Sequence, residues 1–323
     1  MRSQALGLGV LLLFAGPARA QYADPPPHTR PPLLYSGANE REVRLLADAA
    51  ATVESRRDAS FALAEHRRLE RALAAVQPQR AGVVDAYVVV AALDSDGVFG
   101  REAREAGRVL ARRYDAAGRT IVLASGGAEA RGSPDNLAAA LARVAEVIDP
   151  EEDVLVLYTT SHGAPWGVVY NDSDNGFGAV SPTWLWLTLQ TLGIQNRLLL
   201  LSACYSGVFV PMLQSDTTAI VTAASSSKTS FGCQADADWT FFGDALVNHA
   251  LRQPQPFATA AAEAQRAIAG WEKQGKLEPS EPQVSIGAGA ARWLATLEQR
   301  MPRTATAPVG RPATTLLGEL KKR

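Results

Sequence analysis

The sequence predicts an α/β protein: a three-layer α/β/α sandwich with a mostly parallel sheet, preceded by an N-terminal helical segment. Two features carry this. Short β-branched apolar runs recur along the chain and alternate with stretches of helical periodicity. Each run is apolar at nearly every position rather than at alternate ones, as expected of parallel strands covered on both faces by helices.

The elements follow in order. Residues 1–20 read as an export signal, with Arg2 as the positive start, an apolar core over 5–14 and Ala18-Arg19-Ala20 as a small-x-small cleavage site. Its apolar core is too short to span a bilayer, so no stable membrane anchor is expected after cleavage. Residues 21–38 form a Pro-rich leader. Residues 39–80 read as a helical segment, one long helix or a helical hairpin, with Val43, Leu46, Val53, Leu69 and Leu73 at roughly helical spacing and a break at Gln77-Pro78.

The main domain is expected over 81–300. Strands are predicted at 86–93 (AYVVVAAL), 120–124, 153–159 (DVLVLYT), 197–202 (RLLLLS) and 218–224 (TAIVTAA), with an edge strand at 282–287. Helices are predicted at 101–114, from Pro134 to about 148 with Ser133 as N-cap and Pro at the first helical position, and at 182–192, 241–251 and 257–271. The Pro-, Thr-, Arg- and Lys-rich residues 301–323 are expected to be a disordered tail.

Composition narrows the function. The chain has 323 residues and a formal net charge of −1, so no basic footprint points to nucleic acid. Two cysteines are present, Cys204 and Cys233. For an exported chain the default reading of such a pair is a disulfide. No second His or Cys stands at metal-ligand spacing to His162, so neither a metal nor another cofactor is expected. The polar stretch 171–178 (NDSDNGFG) lacks the closing glutamate of a calcium loop and reads as a flexible loop. The aromatics Tyr158, Trp166, Trp184 and Trp186 are candidates for subsite walls or for plain packing.

Two strands end in chemistry. The third runs into Thr160-Ser161-His162-Gly163 and the fourth into Ser202-Ala203-Cys204-Tyr205-Ser206-Gly207. Consecutive strands are often neighbours, and active residues of such sheets gather at the carboxyl ends of strands. An imidazole beside a thiol can deprotonate it, and Gly163, lacking a Cβ, can bring its backbone N–H close to a substrate oxygen. Either residue alone reads as readily as a structural histidine or a small core hydrophobe.

These motifs together, S-H-G closing one apolar strand and A-C-x-S-G the next, resemble the legumain-type cysteine peptidases of family C13, whose fold is caspase-like. The likeness extends to TAASSSKTSFGC (222–233) and WTFFGDAL (239–246), and is closest to the bacterial exported branch. It implies Cys204 as nucleophile, His162 as general base and acid, and the amides of Gly163 and Cys204 as oxyanion donors. It also implies a substrate pocket (S1) drawing on Arg101, Ser202, Ser230 and Asp244. The family has a further acid at the position of Ser202, so specificity is expected for asparagine or a basic residue at P1, the residue before the scissile bond. The resemblance further implies that Cys204 is not in a disulfide.

The expected function is therefore that of an exported, periplasmic or secreted, cysteine endopeptidase acting on protein or peptide substrates. The alternatives are a catalytically silent caspase-like binding protein and a transpeptidase of the same fold.

Overall fold

The computed structural model describes residues 37–320. The signal read at 1–20 and nearly all of the leader lie outside the described residues. Among those described, no helix is long and apolar enough to cross a membrane.

The segment before the main domain is two helices, α1 (Glu40–Asp48) and α2 (Ala59–Ala74), separated by a two-residue strand β1 (Val53–Glu54). Both helices start at side-chain caps: Asn39 accepts from the Glu42 amide in a capping box, and Asp58 from the Phe61 amide. A single long helix is excluded by the extended stretch between them, which pairs β1 with a hairpin of the main domain.

The main domain begins with β2 (Ala86–Ala92), α3 (Gly97–Arg113), β3 (Thr120–Leu123), α4 (Pro134–Val147) and β4 (Val154–Thr160). A meander follows, of β5 (Gly163–Ala164), β6 (Gly167–Asn171) and β7 (Gly176–Val180). Next come α5 (Pro182–Thr191), β8 (Arg197–Ser202), a 3₁₀ turn (Ser206–Phe209) running into α6 (Val210–Leu213), and β9 (Thr218–Thr222). A π-helical segment (Gly243–His249), α7 (Phe257–Gly275), β10 (Gln283–Ile286), α8 (Ala288–Gln299) and α9 (Thr315–Leu320) complete the described chain.

Six strands form the main sheet in the order β10-β9-β8-β4-β2-β3, all parallel except the edge strand β10. Every residue of β2, β4, β8 and β9 is buried, which explains their unbroken apolar sequences. Alternate side chains feed two cores. Val88, Val156, Leu198 and Leu200 pack under α3, the π-helical segment and α7. Val89, Leu155, Leu199 and Leu201 pack under α4, α5 and α6.

Three expectations need correction. The loop expected at 171–178 is the turn between β6 and β7, whose strands pair from Val168↔Val180 to Asn171↔Phe177. The helix expected over 241–251 is wound mainly as a π-helix and a 3₁₀ turn. The tail is not loose over 301–320. Trp239 Nε1 donates to the Val309 carbonyl (2.8 Å), the Val309 amide to Asn248 Oδ1 (2.9 Å), and Ala313 and Leu317 are buried. Basic composition suggested solvation, but two well-placed apolar residues and these buried partners hold the strap down.

Candidate active site

Sheet register sets the site. β4 and β8 run parallel with Thr160 opposite Ser202, and the Ser161 amide continues the ladder to the Ser202 carbonyl at 3.1 Å. Two residues beyond that last pair stand His162 on one strand and Cys204 on the next, leaving the sheet side by side. The chain after His162 turns straight into the β5–β6 hairpin, fixed by the Val169 amide on the His162 carbonyl (2.9 Å). Glycine is required at 163 by close backbone approach. A Cβ at this position would lie 1.9 Å from the Cys204 carbonyl oxygen.

After Cys204 the backbone makes a sharp turn. Tyr205 adopts a left-handed conformation with φ 57°. Such a conformation is uncommon for a bulky side chain. The Tyr205 amide holds the turn by donating to the Lys228 carbonyl (2.8 Å). Gly207 then packs against the backbone of Ser225 and Ser226, where any Cβ would collide. The Cys204 Sγ accepts from the Ser230 amide at 3.3 Å and lies 3.8 Å from the Ser230 hydroxyl. Ser230 thus joins the thiol. Both cysteines are free, so the default disulfide does not form. Cys233 follows three residues later, and burial, with the Cys204 charge adding, pushes its thiol pKa well above the usual range.

Around the imidazole, sequence reasoning missed the residues that matter. Asp96 Oδ2 lies 3.9 Å from His162 Nε2, and the ring stands edge-on to Phe99 with centroids 5.2 Å apart. Asp94, buried behind, accepts from the Asp96 amide (2.8 Å) and from Asn171 Nδ2 (2.9 Å). Interaction with the Asp96 side chain raises the His162 pKa above its ordinary value; burial opposes this, and the charges of Asp94 and Asp96 add to it. Burial in turn raises the Asp94 pKa. The signal was present: Asp94 and Asp96 follow the first buried strand at the same sheet edge as the two motifs.

Glu102 is the second omission. It sits on the buried face of α3 beneath the strand ends and is fully buried. Its Oε1 accepts from Tyr158 Oη (2.6 Å), Thr160 Oγ1 (2.7 Å) and Ser202 Oγ (3.2 Å), and its Oε2 from the Thr240 amide (2.8 Å). Gly243 leaves it room, since a Cβ there would lie 2.2 Å from Oε2. A glutamate in register with Phe99, Ala106 and Val109 on one helix stripe was legible as buried, although its partners were not.

Residues 134–287, the segment holding both His162 and Cys204, match the model of the Peptidase C13 family. The match takes in the chain from the first turn of α4 to just past β10, and with it both strand ends that carry His162 and Cys204. Among solved structures, a crystal structure of caspase-1 from Spodoptera frugiperda aligns with 65% of this chain and 92% of its own. The TM-score is 0.41 and the identity 13%. No curated protein matches the chain.

The remaining sequence candidates divide. Ser202 lies on the sheet edge between Glu102 and Thr240 Oγ1, the latter at 3.1 Å, and is buried. Asp244 does not join the group around Cys204. It is fully buried, and its oxygens accept from Asn248 Nδ2 (2.8 Å) and from the Ala313 amide of the C-terminal strap (2.8 Å), with His249 Nε2 at 3.4 Å. The π-helical winding and the ordered strap, neither visible in the sequence, turn it to that role. Arg101, ahead of the matched residues 134–287, is likewise engaged: Nε donates to the Ala237 carbonyl (3.1 Å) and pairs with Asp238 at 3.3 Å. It braces the 234–240 loop.

Proposed function

We propose that this protein is a cysteine endopeptidase in which Cys204 and His162 form the catalytic dyad. The observation that carries this is the Thr160↔Ser202 register, which delivers a thiol and an imidazole from adjacent strands with Gly163 against the Cys204 backbone. The match of residues 134–287 to a cysteine peptidase family supports the same reading.

The chemistry follows from the groups present. The Cys204 thiol gives its proton to His162 and the sulfur attacks the peptide carbonyl carbon. The amides of Gly163 and Cys204 face the developing oxyanion, a contribution of about 10²–10³ in rate for one donor in comparable sites. His162 returns the proton to the departing amine, and water then hydrolyses the thioester. Asp96 positions the imidazole through Nε2, leaving Nδ1 for the thiol.

We assign P1 specificity to a basic residue, with asparagine second. Arg101 and Asp244 are bound elsewhere, and three acidic side chains lie at the site, Asp94 and Asp96 on the His162 side and Glu102 beneath Ser202, the last with hydrogen-bond donors that are all neutral groups. Acidic side chains so placed favour a cationic side chain at the mouth of the site. The signal at residues 1–20 supports action outside the cytoplasm.

The test is P1 profiling of the wild-type chain against Cys204→Ala with a peptide library. Cleavage after Arg or Lys, absent in Cys204→Ala, is expected. Cleavage that persists in Cys204→Ala, or none by either protein, rules the proposal out.

A further inference from the structure

Beside the candidate site runs a groove with a volume of 440 Å³. That size falls within the range of ligand-holding clefts. One wall is the tip of the β5–β6 hairpin, where Trp166 stands four residues beyond His162. A second comes from the turn after Cys204, through Val208 and Met212. The third is built by the N-terminal end of α5 (Pro182) and by α1 (Arg44, Asp48). Helix α1 lies outside the matched residues 134–287 and is fixed in place by buried Ala47 and by Asp48, which accepts from the α5 N-cap Ser181 Oγ at 2.7 Å.

The groove neighbours the site through the two segments that leave it, with Trp166 four residues after His162 and Val208 four residues after Cys204. Trp166, Val208, Pro211 and Met212 form an apolar side of the groove, and polar groups, Thr183 and Ser226 with Arg44 and Asp48 of α1, line the rest; Met212 is 42% exposed although large and hydrophobic. Exposed apolar surface in a concave setting marks a place where another apolar group seats. The charges of Arg44 and Asp48 are opposite and confined to one end, with Arg44 also paired to Glu40 at 2.9 Å, so the groove carries no strong net charge.

We propose that this groove holds the leaving-group half of a peptide substrate and selects a bulky apolar side chain just beyond the scissile bond, with α1 completing the subsite. The proposal rests on the reading of Cys204 and His162 as a peptidase dyad. In that chemistry His162 protonates the departing amine, so the leaving half of the peptide lies on the histidine's side of the thiol. The hairpin carrying His162 ends in the Trp166 wall.

The experiment uses the full Cys204→Ala chain and two fluorescein-labelled octapeptides, identical up to a P1 arginine and carrying either Phe-Leu or Asp-Asp after it. Fluorescence anisotropy is expected to show the Phe-Leu peptide binding roughly tenfold tighter, the scale of discrimination an apolar pocket gives. Trp166→Ala and, separately, Met212→Glu on the same background should each remove most of that difference. Met212 is surface-exposed, so its replacement leaves the fold intact should the hairpin variant misfold. Equal affinity for the two peptides, or a difference that survives both variants, overturns the proposal. So does sedimentation showing that the substitutions split a dimer, since the occupant would then be a second copy. Failure of wild-type protein to hydrolyse either peptide would count against the dyad, while the binding comparison would still decide the groove.

Discussion

Replacing Asp96 by asparagine removes the carboxylate beside His162 Nε2 and keeps its shape. The two groups lie 3.9 Å apart. Unit charges at that separation interact by about 4 kcal/mol at an effective dielectric of 20 and by about 1 kcal/mol in water. The His162 side chain is 45% exposed, so the screened, lower figure applies. Loss of an attraction of that size lowers the imidazole pKa by a readily measured amount. Asp94 remains and preserves part of the lift. The assay is a proton NMR titration of His162 in the Cys204→Ala background, where no thiol titration is coupled to it. The parent midpoint should lie above the ordinary imidazole value of 6.5, and Asp96→Asn should lower it toward that value. Stability follows the same sign. A raised folded pKa adds stability that is fully present below the unfolded value and is lost as pH rises through the folded one. Asp96→Asn should therefore destabilise the protein at about pH 5 and leave it unchanged at about pH 9, both well outside the imidazole range. Equal midpoints in the two proteins would refute the idea that Asp96 holds the imidazole.

Three further outcomes are expected. Gly163→Ala places a methyl 1.9 Å from the Cys204 carbonyl oxygen. Displacement of an oxyanion donor should then cut kcat/KM by about 10²-fold or more, with circular dichroism unchanged. Glu102→Gln turns two acceptor oxygens into one and sets an NH₂ against existing donors. Urea unfolding should show a loss of about 1–3 kcal/mol, and preference for Arg over Asn at P1 should narrow. Asp244→Asn weakens the bond to the Ala313 amide. Stability in urea should fall by about 1 kcal/mol while P1 preference stays as in the wild type. A changed preference would return Asp244 to the substrate pocket.

Much of the fold was legible because burial on both faces writes itself into composition: AYVVVAA and RLLLLS are strands with no solvent side. The S-H-G and A-C-x-S-G endings could be aligned at one edge because parallel strands end together. What stayed hidden depended on partners distant in sequence. Glu102 meets Tyr158, Ser202 and Thr240 across separations of 56 to 138 residues, which no local pattern reports. Asp244 was expected in the substrate pocket from its F-G-D context, yet one of its oxygens is taken by a strap that composition marked as solvated. Arg101 stands near the site, but carbonyls of a loop more than 130 residues away claim it. Windings such as the π-helix at 243–249 leave no periodic signal, because the packing against α7 and α3 selects them.

Everything proposed about the chemistry depends on Cys204, set beside His162 by the strand register, being the reacting nucleophile. The decisive measurement is mass-spectrometric mapping of the native chain after incubation with a peptide bearing a P1 lysine and a carbonyl-linked electrophile. A single adduct on Cys204 is expected, abolished by denaturation and strongly slowed by His162→Ala, with Cys233 unmodified because its partly buried thiol is held protonated. Adduct on Cys233 instead, or labelling of Cys204 no faster than in the unfolded chain, would show that the register does not make a nucleophile of Cys204.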